Sequence, residues 1–136
     1  MQKWKDGAVY TGLFKANRAN GLGVFKHSDG DEYKGEFLND RACGYGLYRH
    51  SNGATYEGFW LDDCQNGIGQ EKWSDNSEYE GNYIKGKKQG LGKKTFNNFI
   101  ISYLGKYTWS DKSRYEGEWY ENCLHGYVTN IYLIIY

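Results

Sequence analysis

Apolar and polar residues alternate through most of this chain, and at regular intervals a pair of turn-forming residues breaks the alternation. Across the segment 33–38, Tyr33, Gly35 and Phe37 fall on one face of an extended backbone, while Lys34, Glu36 and Leu38 fall on the other. Asn39-Asp40-Arg41 reads as a turn, and the next alternating run puts Gly44, Gly46 and Tyr48 on one parity. Asn52-Gly53 then turns the chain again. Each unit is therefore a β-hairpin, and consecutive hairpins pair into one antiparallel meander. The predicted class is all-β, an elongated single-layer sheet without helix, with strands over 8–15, 21–25 and their equivalents further along.

The unit recurs. Tyr10-Thr11-Gly12, Tyr33-Lys34-Gly35, Tyr56-Glu57-Gly58 and Tyr79-Glu80-Gly81 follow one another at steps of 23 residues. Tyr115-Glu116-Gly117 comes after 36, which is 23 plus an insertion of 13. Four residues after each Tyr stands another ring, Phe14, Phe37, Trp60, Tyr83 or Trp119. Glycine pairs keep the same step at Gly21/Gly23, Gly44/Gly46, Gly67/Gly69 and Gly90/Gly92. Such a period marks a repeat architecture, in which a unit buries its apolar face only against its neighbours. The expected domain is one array over 1–136, with repeats near 10–32, 33–55, 56–78, 79–114 (carrying the insertion 94–106) and a partial 115–136. Arrays of this kind offer long surfaces to partners rather than catalytic clefts.

Glycines inside strands weaken them unless something compensates, and an aromatic ring lying across the bare backbone does so. The second turn position carries Asn17, Asp40, Asp63, Gly86 and Asn122, types that tolerate positive φ. The opposite parity carries an apolar line, Leu22, Tyr45, Ile68 and Leu91.

Composition narrows the classes. Rings make up 18% of the chain, with 14 Tyr, one Met and no Pro, so burial comes mainly from aromatics. Seventeen basic and seventeen acidic residues cancel, which removes the field that would attract nucleic acid. No apolar run approaches the roughly 20 residues of a membrane helix. Cys43, Cys64 and Cys123 are odd in number and lack metal or redox spacing, so reduced thiols and a cytoplasmic location are expected.

Tyr-x-Gly-x-Trp, a short Asn/Gly turn, Gly-x-Gly-x-Tyr and Asp-Gly at a 23-residue step closely resemble the MORN repeat (membrane occupation and recognition nexus). The likeness covers about residues 1–127 and is strong over Trp109-Ser110-Asp111-Lys112-Ser113-Arg114-Tyr115-Glu116-Gly117-Glu118-Trp119. The resemblance implies a groove-bearing β-meander used as a scaffold. Such repeats occur in junctional membrane proteins, cytoskeletal and ciliary assemblies, some histone methyltransferases and plant phosphatidylinositol phosphate kinases.

Two segments depart from the pattern. Removing 94–106 restores every column and places Tyr107 where Phe25 and Tyr48 stand, so this piece should lie outside the ladder. After Gly126 the second glycine is replaced by Val128, and 128–136 is apolar with strong β propensity. Intron-derived sequence read in frame, or a genuine loop and edge strand, would each account for both segments. As an edge, the tail would be sticky and would pair with a second copy into a homodimer.

Candidate chemistry is sparse. His27 and His50 share the repeat position of Trp4, Trp73 and Trp109, which favours ring stacking over metal binding. Asp62-Asp63 and the acids Asp29, Asp31 and Glu32 lie in turns and lack the calcium-loop pattern. No nucleophile–base set has supporting spacing, so no enzyme activity, cofactor or metal is expected. The leading reading is a non-catalytic scaffold that binds a polypeptide through Tyr33, Phe37, Tyr56, Trp60, Tyr79 and Tyr83, in a cytoskeletal or ciliary setting. One alternative is a peripheral tether contacting anionic lipid weakly through Lys85, Lys87 and Lys88. Another is a regulatory piece of a larger enzyme, since Trp4-Lys5-Asp6-Gly7 begins in mid-repeat.

Overall fold

The computed structural model describes residues 1–90, 93–96, 99–102 and 105–132, with side chains over 1–90 and 105–125. The described residues contain strands and turns and no helix. Strands β1 (Gln2–Lys3), β2 (Val9–Lys15), β3 (Arg18–Lys26), β4 (Glu32–Leu38) and β5 (Arg41–Arg49) open the chain. They are followed by β6 (Thr55–Leu61), β7 (Cys64–Lys72), β8 (Glu78–Ile84), β9 (Lys87–Lys88), β10 (Lys93–Phe96) and β11 (Phe99–Ser102). The last three are β12 (Gly105–Thr108), β13 (Arg114–Tyr120) and β14 (Cys123–Tyr132). All but β10 and β11 form one 12-stranded open antiparallel sheet, the expected meander, in which β1 to β8 pair in sequence order, β8 pairs with both β9 and β12, and β13 and β14 follow.

The second strand of each hairpin starts earlier than expected, at Arg18, Arg41 and Cys64, because the turn is only two residues long. Its central pairs, such as Asn39-Asp40 (φ 50° and 70°) and Asp62-Asp63 (48° and 65°), are left-handed at both positions. That geometry matches the natural twist of paired strands. The glycine first taken as a strand start is instead a bulge: Gly44 has φ +84°, and the register slips between Gly35 and Phe37. Opposite the bulge, a Glu36 carboxylate oxygen accepts the Tyr45 amide at 3.1 Å.

Turn side chains at three of these positions clamp a repeat to its predecessor. Asp40 Oδ1 accepts the Ala19 amide and Asp63 Oδ1 accepts the Ala42 amide, both at 2.7 Å across 21 residues. Asn122 Oδ1 accepts the Lys88 amide at 2.8 Å across 34 residues, which is 21 plus the 13 inserted. Tyr107 pairs with Tyr79 and Tyr115, as Tyr48 pairs with Tyr33 and Tyr56, so the array does regain register there.

The excursion ends two residues earlier than its sequence limits suggest. Gly105 pairs with Gly117, and its carbonyl accepts the Trp119 indole at 3.2 Å, as the Gly46 carbonyl accepts that of Trp60. Gly105 thus fills the column assigned to Gly92. Gly-Lys occurs at both 92–93 and 105–106, so removing 13 residues from either point restores the same columns. Strands β10 and β11 pair only with each other, outside the main ladder. Strand β14 pairs with β13 as the terminal strand of the sheet, and 133–136 lie outside the described residues.

The core is a row of rings. Each Tyr of Tyr-x-Gly folds flat over a glycine, and its hydroxyl donates to the carbonyl three residues on, as Tyr33 does to Glu36 and Tyr56 to Phe59, both at 3.0 Å. Tyr10–Phe37, Phe37–Tyr33, Tyr33–Trp60, Trp60–Tyr56, Tyr56–Tyr83, Tyr83–Tyr79 and Tyr79–Trp119 then make an unbroken edge-to-face zigzag, with centroids 4.9–5.4 Å apart. Each such pair contributes about 0.5–1.5 kcal/mol beyond the area it buries.

Candidate functional site

The zigzag changes what a partner can reach. Tyr33, Phe37, Tyr56, Tyr79 and Tyr83 are all buried, with hydroxyls or ring edges engaged inside the array, and of the six rings expected to meet a polypeptide only Trp60 is half-buried. The physical cause is the glycine column, which lets rings lie down on the sheet rather than stand off it.

A second, outer row of rings flanks the zigzag. Trp4 packs on Phe25, Phe25 on His27, His27 on Tyr48 and Tyr48 on His50, with centroids 4.6–5.8 Å apart. The histidines stack, as their shared column suggested. Among the described residues, no group of three His, Cys, Asp or Glu side chains is placed to hold a metal.

Between the two rows lies a trough, which over Ala42 holds a cavity of about 310 Å³. Its walls are Phe25, Tyr33, Phe37, Tyr48 and Trp60, its floor is the buried Ala42, and His27, Asp40 and Asp63 edge it. Ala42, Asp40 and Asp63 were not singled out from sequence as site residues. The signal was present, since Ala19 and Ala42 share a column with Gln65 and Lys88.

Asp31 fixes the outer row. It accepts the Ser51 amide and the Tyr48 hydroxyl, both at 2.8 Å, and sits 3.1 Å from His50 Nδ1. The Ser51 amide first, then the Tyr48 hydroxyl and the His50 ring, hold its carboxyl down to about 2, against an ordinary 3.8. A carboxyl lowered on folding contributes stability that is complete above about pH 4 and is lost as pH falls through 2. Asp31→Asn is therefore expected to flatten the acid limb of stability between pH 4 and 2, read from denaturant midpoints against pH.

Further along, the outer row breaks where Glu71 occupies the column of Phe25 and Tyr48. Its carboxylate meets Lys88 Nζ at 2.9 Å and accepts the Tyr83 hydroxyl at 3.0 Å. Burial, then the Glu71 charge, pushes the Tyr83 phenol far up, which keeps it a neutral donor. Of the three lysines weighed for lipid, Lys88 therefore turns inward. Lys87 pairs with Glu121 at 3.4 Å, and Lys85 is exposed. The opposite face of the sheet presents Leu22, Tyr45 and Ile68, which are 66%, 47% and 53% exposed.

The MORN-repeat profile matches residues 10–32, 33–55, 56–78, 79–99, 104–114 and 115–127. The chain belongs to the MORN-repeat family. The interruption between 99 and 104 falls within the excursion, and the matches on either side take in the zigzag and the trough. MORN repeats are interaction modules for proteins and membranes rather than catalytic units, consistent with a site built of rings and paired carboxylates. No curated protein matches this MORN array.

Proposed function

We propose that this chain is a non-catalytic scaffold, one array over 1–136, that holds a partner polypeptide along the trough between its two rows of rings. The observation that carries the reading is the cavity of about 310 Å³ over Ala42, where half-buried Phe25, Tyr48 and Trp60 present ring surface without filling the space between them. Aromatic anchors in partly closed pockets dominate the energy of protein interfaces. A partner here would meet Trp60 and the outer row first, with Tyr33 and Phe37 forming the base.

Peptides selected from a displayed random library against the whole chain test the proposal. Ala42→Leu places in the trough the side chain that stands at Leu124 in the same column, and is expected to weaken selected peptides at least about tenfold while leaving the melting temperature nearly unchanged. Leu22→Lys and Ile68→Lys, on the opposite face, should leave affinity as it was. Peptides lost with the second pair and kept with the first would overturn the trough as the binding surface.

A further inference from the structure

The array contains a copy of this ring cage filled by a cation of its own, beside a remaining cavity of about 360 Å³ lined by Trp73, Lys88, Tyr107 and Trp119. Two repeats along, His27 becomes Trp73, Tyr33 becomes Tyr79, Phe37 becomes Tyr83 and, across the excursion, Trp60 becomes Trp119. The floor residue Ala42 becomes Lys88. There, the Lys88 ammonium lies 4.9 Å from the Trp73 ring centroid, 5.2 Å from Tyr79 and 5.7 Å from Tyr83, and its side chain is only 14% exposed. Ring faces carry the negative part of the aromatic quadrupole, so such a cage attracts a cation most strongly when water is excluded.

At Ala42 the lysine is missing, and the ring positions carry His27, Tyr33 and Phe37 in place of Trp73, Tyr79 and Tyr83. The charge arrangement changes to match. In the filled copy the anion is Glu71, and the clamp positions are the neutral Gly86 and Asn122. In the open copy Phe25 replaces Glu71, and both clamp positions are acids, Asp40 and Asp63. Arg18 lies 4.0 Å from Asp40, whereas Asp63 has no ion pair among the described residues. The open cavity therefore has aromatic walls and, at its edge, an exposed carboxylate that holds the Ala42 amide and has no ion pair among the described residues, with no lysine or arginine of the chain's own inside.

We propose that the cavity over Ala42 takes one lysine-type ammonium from the bound polypeptide, in the place that Lys88 fills for itself two repeats away. This rests on the trough being the binding surface, and it adds what the surface selects. An apolar side chain would meet the rings and gain nothing from the Asp63 charge. An alkylammonium gains from both.

The test uses n-butylammonium as the lysine side-chain probe and n-butanol as its neutral counterpart, titrated into the isotope-labelled whole chain. The Ala42 amide and Trp60 indole signals should shift saturably with the amine, with n-butanol at least about fivefold weaker. Ala42→Lys should abolish the shift by supplying the cation from within, and Ala42→Gln, the residue type at Gln65, should do so if the lysine variant folds poorly. Asp63→Asn should weaken the amine at least about threefold. That variant keeps the clamp, since Asn122 makes the same bond to the Lys88 amide. Equal saturation by n-butanol, or an amine response untouched by either Ala42 variant, would overturn the inference. The selected peptides separate this from failure of the trough itself. Trough-bound peptides without enrichment in lysine sink the cation site alone, whereas peptides indifferent to Ala42→Leu sink the trough.

Discussion

Gly46→Ala is expected to destabilise the array by at least about 3 kcal/mol, with a melting temperature lower by about 10 °C. A methyl group on Gly46 would stand 2.5–2.6 Å from ring carbons of Tyr33, far inside contact distance. The ring cannot yield cheaply. It is buried, its hydroxyl is bound to the Glu36 carbonyl, and its edges meet Phe37 and Trp60. Lifting Tyr33 would also open the zigzag on both sides. Gly53→Ala is the control. Gly53 has φ +92° with nothing near its missing side chain, so that change should cost only about 1 kcal/mol of backbone strain. Chemical denaturation of the two variants side by side is decisive, and equal losses would show that the ring is not held by the glycine.

The second large effect lies at the Glu71–Lys88 pair, whose side chains are 20% and 14% exposed. Residual exposure screens the pair, so removal of one partner should fall below the 3–5 kcal/mol of a fully buried ion pair, at about 2 kcal/mol. The two halves are not equivalent. Lys88→Ala leaves the partly buried Glu71 carboxylate with the Tyr83 hydroxyl and no counter-charge, whereas Glu71→Gln leaves an ammonium that the Trp73, Tyr79 and Tyr83 rings still favour. Lys88→Ala should therefore cost about 2 kcal/mol and Glu71→Gln about 1 kcal/mol. The double change Glu71→Phe with Lys88→Ala rebuilds the Phe25 and Ala42 arrangement and should recover part of the loss, the Tyr83 hydroxyl being left without its carboxylate acceptor. If the double variant is no better than Lys88→Ala alone, the pair is not what holds this stretch together.

The hairpins, the meander and the re-entry at Tyr107 were legible because a strict period needs only counting. Left-handed turns were legible at Asn17, Asp40, Asp63, Gly86 and Asn122 because only a few residue types tolerate that backbone. Ring posture was harder to read. Parity says which face Tyr33 occupies, but whether it stands up to meet a ligand or lies down on Gly46 depends on a side-chain torsion that alternation does not encode. The place of Lys88 was hidden for a related reason. As a linear run, Lys85, Lys87 and Lys88 look alike, yet Lys88 sits in the inward column of Ala19 and Ala42. Aligning columns rather than neighbours would have placed it beside Glu71, another charge in a column of rings.

A row of identical units poses a registration problem for anything that lies along it. Shifted by one repeat, roughly 10 Å, a bound chain would meet the same rings and the same turns, and several alignments would be nearly degenerate. The Ala42 column reduces that degeneracy, because it runs Ala19, Ala42, Gln65, Lys88 and, past the excursion, Leu124. Translation from Ala42 toward Gln65 and Lys88 drives a partner into larger and then charged side chains, whereas the register over Ala19 stays open. Reversal of the partner's direction inverts the match of bulk to space. A molecule assembled from copies thereby acquires an origin and a sense, like a scale that is numbered as well as ruled.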